Sequence, residues 1–422
     1  MYLGETMCAR CAHPASLFFG WIEKRLTPVY ILQKLGTNPQ NCINMTHSAV
    51  MANITFPHTG DSPKRKEKLI LEILSQCNPY NLELGGGLTR AIFRAYMQPH
   101  RYFHTLDHLL DICEAIRERA WEDQQMAAEL LLTALFHDIV WYPQGNDSEA
   151  RSVEAFDYLM GQSGNPVPPD VAERVRQAIL ATCTQDAVSP LAGKFHDFDC
   201  QIIIHGSPVD LLAYEYQIFR EFQYLNVKEY RKGRRAFFNR FARKFSDCKA
   251  NMKFLVDYLE RRRPRVGIYA GSFNPFHIGH FSILEKAETM FDKVILAVGI
   301  NPEKKRSQEK GLSSILPFHE VVYFDTLMVD LLAQESTLCD VTLVRGLRNG
   351  YDLDYEMNQL CFMQEMWPQT QAVYIPCDKN LEHISSTALK GMSQFDVHGR
   401  DRMYYPDKYA YYKDDVKKMF AL

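Results

Sequence analysis

Past Pro264 the chain changes texture. Val266-Gly267-Ile268-Tyr269-Ala270, Val294 to Val298, Val341 to Val344 and Ala372 to Ile375 are short apolar runs rich in β-branched residues. Continuous runs of this kind mark strands buried on both faces, as in a parallel sheet. Between them Phe281 to Phe291 and Tyr355 to Met366 carry helical spacing. Parallel strands need such crossovers, so this part is expected to be a doubly wound α/β, Rossmann-like domain with its ligands at the strand C-termini.

Nothing before Pro264 reads that way. From Lys64 to Arg262 apolar residues recur at three- and four-residue spacing, in Leu69 to Leu74, Leu109 to Ile116, Ala127 to Phe136, Phe237 to Phe245 and Met252 to Leu259. That periodicity predicts an all-α region. A chain of 422 residues exceeds one ordinary core. The expected organisation is therefore two domains, residues 63–262 and 263–422, divided by the basic stretch Arg261-Arg262-Arg263-Pro264-Arg265, which reads as a solvated linker. Residues 1–62 mix Cys, His, Pro, Asn and Thr without periodicity, and are expected to be an N-terminal extension.

Composition removes several classes of function. The net charge of -3 gives no global attraction to nucleic acid or to an acidic membrane. Eleven cysteines, an odd number without regular spacing, argue for reduced thiols and a cytoplasmic location. Cys8, Cys11 and His13 make half a zinc site with no second pair at a useful spacing. No apolar run is long enough to span a bilayer, and the start of the chain lacks the order of an export signal.

Gly271-Ser272-Phe273-Asn274-Pro275-Phe276-His277-Ile278-Gly279-His280 follows the first apolar run directly. A strand, a glycine turn and a helix start would put backbone N–H groups and a positive helix terminus beside two imidazoles, a setting for phosphates and for a transition state gaining negative charge. Downstream come Asn301-Pro302-Glu303-Lys304-Lys305, then Arg345-Gly346-Leu347-Arg348 running through Asp352, Tyr355 and Glu356, and finally Ile384-Ser385-Ser386-Thr387 with Lys390. In that order these segments resemble the nucleotidyltransferase superfamily, and the phosphopantetheine adenylyltransferases within it.

The resemblance implies transfer of an adenylyl group from ATP, with Mg²⁺, to 4′-phosphopantetheine, and it allows a homo-oligomer. In-line attack on the α-phosphorus needs positioned reactants and neutralised charge and no covalent nucleophile. On that basis His280 is the principal transition-state contact, supported by His277. Ser272 holds the acceptor phosphate or the α-phosphate. Lys304 bridges phosphates, and Arg345 and Arg348 offer forked donors. Gly271, Phe273 and Gly279 shape the nucleotide turn; Ser385, Ser386 and Thr387 hold the β- and γ-phosphates; Gly346 and Glu356 lie near ribose and adenine. Leu327 and Met328 are assigned to the pantetheine arm. His277 and Asn274 also resemble nicotinamide-nucleotide adenylyltransferases, which leaves nicotinamide mononucleotide as an alternative acceptor.

The helical half carries a second constellation. His104 and His108 stand four apart, as on one face of a helix; His137-Asp138 follows an apolar run; Asp197 and Asp199 come later. Mixed nitrogen and oxygen donors suit a divalent metal such as Mn, Fe, Ni, Zn or Mg. Together with Pro99 to His104 and Asn146 to Ser152, they resemble the HD superfamily of metal-dependent phosphohydrolases. That resemblance implies His104, His137, Asp138 and Asp199 as ligands, with His108 and Asp197 as alternatives, Glu149 orienting water and Arg101 holding a phosphate. A further alternative makes the hydrolase the main activity, with the C-terminal half sensing a nucleotide.

Overall fold

The computed structural model describes residues 61–82, 86–164, 166–184, 186–300, 311–411 and 416–420. The expected extension, with Cys8, Cys11 and His13, and the Asn301 to Lys305 segment with Lys304, lie outside them.

Among the described residues the first two hundred positions are helical. The helices are α1 (Pro63–Gln76), α2 (Gly87–Tyr96), α3 (Leu106–Arg119), α4 (Gln124–Phe136), α5 (Ser148–Gly161), α6 (Pro169–Thr184), α7 (Pro190–Asp199), α8 (Gln201–His205), α9 (Pro208–Glu221), α10 (Val227–Lys244) and α11 (Lys249–Arg261). Their starts follow capping chemistry: Ser62, Thr105, Asp123, Ser189, Ser207 and Asn226 each accept a backbone N–H with the side chain, and proline stands in the first turn after Ser62, Ser189 and Ser207. No described helix is long and apolar enough to cross a membrane.

The remainder is the expected α/β layer: β1 (Arg265–Gly271), α12 (Ile278–Met290), β2 (Lys293–Gly299), α13 (Leu312–Ile315), β3 (Val321–Phe324), α14 (Met328–Glu335), β4 (Asp340–Leu347), α15 (Gly350–Met366), β5 (Ala372–Pro376), α16 (Ser386–Ser393) and α17 (Val416–Met419). All pairings are parallel, in the order β3-β2-β1-β4-β5. β1 therefore lies between β2 and β4, and the crevice where the winding reverses opens at its C-terminal end, beside Gly271.

Alternation along the strands supplies two apolar faces. Tyr269, Leu296 and Val344 pack against Ile283, Leu284 and Ala287 of α12. On the opposite face Val266, Ile268, Ala270, Ile295, Ala297 and Leu343 pack against Leu331 and Leu332 of α14, and also against Ile218 of α9, Phe238 of α10 and Leu255 of α11. One core thus runs across the change from helix to strand. Within the arginine stretch Arg262 is packed into this seam, while Arg261, Arg263 and Arg265 stay exposed as a solvated linker would. Arg262 lies 4.5 Å from the Phe219 ring centre and 3.6 Å from Asp292, Arg265 reaches Asp292 at 3.0 Å, and Arg263 reaches Asp340 at 2.9 Å. Buried Asp292 draws Arg262 inward.

The far end of the chain also returns. Phe318, Val416 and Phe420 enter the core of α1 to α7, and Tyr409 and Tyr411 pack against it. Tyr411 Oη lies 2.5 Å from His100 Nδ1, whose ring stacks on Phe318 at 4.2 Å.

Candidate functional site

At the C-terminal end of β1 the chain turns through a cis Asn274-Pro275 bond and places Phe273 at φ 46°. The Phe273 ring folds back over Gly271, where a Cβ would come within 2.9 Å of it. Glycine is needed there by that contact. Ser272 is exposed at the tip and both histidines follow.

His277 is the N-cap of α12. Its Nδ1 accepts the N–H of Gly279 at 3.1 Å and of His280 at 3.4 Å, while His280 Nδ1 accepts the N–H of His277 at 3.4 Å. A nitrogen that accepts cannot carry the proton, so in both neutral rings it resides on Nε2. The rings stack with centres 3.7 Å apart. Burial and nearby Arg348 hold His277 down to about 4; burial, then His277 and Arg348, hold His280 down to about 3. The sequence expectation of free backbone N–H groups is corrected at Gly279 and His280, whose N–H groups the His277 ring takes. Two neutral Nε2–H donors stand there instead.

The arginines are partly committed. Arg345 forks onto Glu356 through Nε, at 2.7 Å, and Nη2, and donates through Nη1 to Ala270 O at 2.9 Å. Buried Glu356 is thus the counter-ion of Arg345 in this state, and the Arg345 fork is occupied. Arg348 is exposed and bound to Asp352 at 3.1 Å. Gly346 allows close helix packing, since a Cβ there would meet Ile283 at 3.0 Å. Ser385 caps α16 by accepting Ala388 N–H, and Ser386 Oγ donates to Pro275 O at 3.0 Å, tying that helix to the histidine turn. Thr387 and Leu327 are exposed. Met328 is partly buried against the core between helices and sheet, whereas Leu327 is exposed.

Residues 268–392 match the model of the cytidylyltransferase-like family. The phosphopantetheine adenylyltransferase of Bartonella quintana is 35% identical over 139 residues, 30% of this chain and 79% of that protein. Those of Agrobacterium fabrum, at 36% identity, and Clostridium perfringens, at 35%, align over 82% and 83% of their length and 30% and 31% of this one. Through its C-terminal region the chain belongs to the phosphopantetheine adenylyltransferase family. The helical region lies outside the matched residues, and its site is read from geometry alone.

Thr105 caps α3 by accepting Asp107 N–H, so the helix begins at Leu106 and His104 precedes it. The expectation of two imidazoles on one helical face fails for this reason. His104 turns instead to buried Glu221, which accepts its Nδ1–H at 2.6 Å and the N–H groups of Tyr102, Phe103 and His104 at 2.7 to 2.9 Å. His104 Nε2 stays 3.8 Å from Asp138, under Trp141, whose ring centre is 3.8 Å away.

The donors that do converge are His108, His137 and Asp199, whose ligand atoms lie within 4.8 Å of one another. Asp199 Oδ1 is 3.2 Å from His108 Nε2 and 3.6 Å from His137 Nε2, and Asp138 Oδ2 is 3.0 Å from His137 Nε2. His137 Nδ1 donates to Ala134 O at 2.9 Å, leaving Nε2 as the lone pair. Both Nε2 atoms are buried and neither makes a hydrogen bond. Orphaned imidazole nitrogens facing carboxylates are the donor set of a divalent cation, so the residues fit a metal. Burial opposes charge on His137, yet Asp138 and Asp199 push it up to about 10. The cluster calls for positive charge.

Asp197 is exposed and takes no part. Arg101 is corrected as a phosphate ligand: its guanidinium donates to Asp138 O at 2.6 Å, Ile139 O at 3.0 Å and His104 O at 3.2 Å, and is buried. It locks the loop after His137. Glu149, in the first turn of α5, is half-buried, and its pKa is raised by burial and then by the Asp138 charge.

Proposed function

We propose that residues 263–422 transfer the adenylyl group of ATP to 4′-phosphopantetheine, giving dephospho-coenzyme A and pyrophosphate. The observation that carries this reading is the pair of Nε2–H donors at the switch point of the sheet, in a segment more than a third identical to Agrobacterium phosphopantetheine adenylyltransferase. An acceptor phosphate oxygen attacks the α-phosphorus in line. The new O–P bond forms as the bond to pyrophosphate breaks, so the protein must hold the reactants and meet the charge on the non-bridging oxygens.

His280 and His277 donate to those oxygens through Nε2. Their low pKa keeps them neutral near pH 7, so they act as hydrogen-bond donors without giving up a proton. Ser272 borders the phosphates at the turn, and Arg348 can exchange Asp352 for a phosphate. Bound Mg²⁺ would neutralise the triphosphate.

Full-length protein with ATP and phosphopantetheine should release pyrophosphate, and His280→Ala should lose most of the rate. The acceptor is tested against nicotinamide mononucleotide in parallel. No pyrophosphate with either acceptor, or an unchanged His280→Ala variant, would end the reading.

A second reading concerns residues 63–262, as an HD-type phosphohydrolase. It is favoured by the convergence of His108, His137, Asp138 and Asp199, and revises the ligand set to include His108 in place of His104. A bound divalent metal would lower the pKa of a water and polarise a phosphoryl oxygen. Glu149, half-buried and within the field of Asp138, would orient such a water. Phosphatase assays in Mn²⁺ on wild-type and His137→Ala protein test it, and equal rates would sink it.

A further inference from the structure

A cavity of about 600 Å³ lies between α2 and the C-terminal segment. That is within the usual range of small-molecule sites, about 300–1,000 Å³. One face of α2 lines it with Arg90, Ala91, Arg94 and Ala95, two pairs at four-residue spacing. Tyr411, Met419 and Phe420 form the other side. Ala91, Ala95 and Phe420 are buried, whereas Arg90 and Arg94 are exposed. The cavity is therefore apolar in its depth and cationic at its mouth.

The charge at that mouth is unbalanced. Arg90 and Arg94 sit one turn apart, about 6 Å along the helix axis, and like charges at this spacing repel. α2 itself contains no aspartate or glutamate to relieve them. Among the described residues neither guanidinium makes a hydrogen bond or an ion pair. Other arginines of the helical half are engaged: Arg101 and Arg220 by backbone carbonyls, Arg174 by Glu129 and Arg234 by Glu215. Two unpaired forks over an apolar recess fit a ligand that is anionic at one end and apolar at the other.

We infer that this cavity binds a small phosphate monoester with an aliphatic body. A monoester carries about 1.5–2 negative charges near pH 7 and three acceptor oxygens, enough for both guanidinium forks, whereas a carboxylate has one charge and fills one fork. The aliphatic body leaves water for the recess between Ala91, Ala95 and Phe420. Because the walls come from opposite ends of the sequence, the site exists only once the C-terminal segment has docked on α2. Neither the histidine turn nor the His108, His137 and Asp199 cluster lines it. The inference stands whether or not either proposed reaction does.

Calorimetry on full-length protein tests it with hexyl phosphate, hexan-1-ol and inorganic phosphate, with EDTA present to keep metal from the helical half. Hexyl phosphate should bind at least about tenfold more tightly than either of the others, since each of those lacks one half of what the cavity offers. Arg90→Ala/Arg94→Ala should weaken hexyl phosphate by about tenfold or more, with the circular dichroism spectrum and pyrophosphate release unchanged. Arg90→Gln/Arg94→Gln serves if the alanine pair disturbs the helix. His280→Ala should bind the probe as wild type does, which separates this cavity from the strand-end crevice. No binding to wild type, equal binding by the arginine variant, inorganic phosphate as tight as hexyl phosphate, or loss of the probe in His280→Ala would each overturn the inference.

Discussion

The His277 ring performs two tasks, and substitution can separate them. Its Nδ1 caps α12 by accepting two backbone N–H groups, and its Nε2–H faces the strand-end crevice in the proposed reaction. His277→Ala removes both. Loss of a side-chain cap costs about 0.5–2 kcal/mol, and loss of one preorganised donor to a developing oxyanion costs about 2.7–4 kcal/mol, or 10²–10³ in kcat. His277→Asn is the informative partner. Asparagine is among the best N-caps, so its Oδ1 should recover the Gly279 and His280 N–H groups while its amide falls short of the Nε2 position. Thermal unfolding should then place His277→Asn within about 0.5 kcal/mol of wild type, and His277→Ala about 1 kcal/mol below it. Pyrophosphate release should fall by about two orders of magnitude in both. If His277→Asn turned over at the wild-type rate, the ring would be a cap and nothing more.

Burial holds His277 at about 4 and His280 at about 3 against an ordinary 6.5. An unfolded chain would take up these protons near pH 6.5 and the folded one only well below it, so stability should fall as pH drops from 7 towards 4. A pH series of urea melts should show that slope, shallower in His277→Asn; an unchanged slope in that variant would remove His277 as its source. Gly271→Ala should cost about 1–3 kcal/mol by driving a Cβ into the Phe273 ring, with transfer activity lost alongside, and a thermal shift with a rate assay would register both. His108→Ala should abolish stoichiometric Mn²⁺ binding by calorimetry, while His104→Ala should retain it; the reverse result would restore His104 as the ligand.

The doubly wound sheet was legible because a strand buried on both faces needs an unbroken apolar run, and Val266 to Ala270 or Val294 to Val298 can be little else. The histidine turn was legible for a similar local reason, since glycine, proline and imidazole act within ten residues. What escaped depends on distant partners. His104 and His108 have the spacing of one helical face, but Thr105 caps between them, and Glu221, which captures His104, stands 117 positions away. Arg101 and Arg345 read as phosphate donors because an arginine in a motif does not reveal that carbonyls of residues 138–139 and the Glu356 carboxylate already occupy it. Arg262 looked solvated for want of any local sign that buried Asp292 and the Phe219 ring lie beside it.

The return of Phe318, Val416 and Phe420 into the first helical core bears on how the chain is made. At about 5–20 residues per second, residue 420 follows residue 262 from the ribosome by roughly 8–30 s. Throughout that interval α1 to α7 are complete in sequence but lack Val416 and Phe420, and for its first part Phe318 as well, while α9 to α11 hold bare the face that β1 and then β4 come to cover. The nascent helical half must wait half-closed, and a chaperone that shields those two surfaces would have its longest opportunity here.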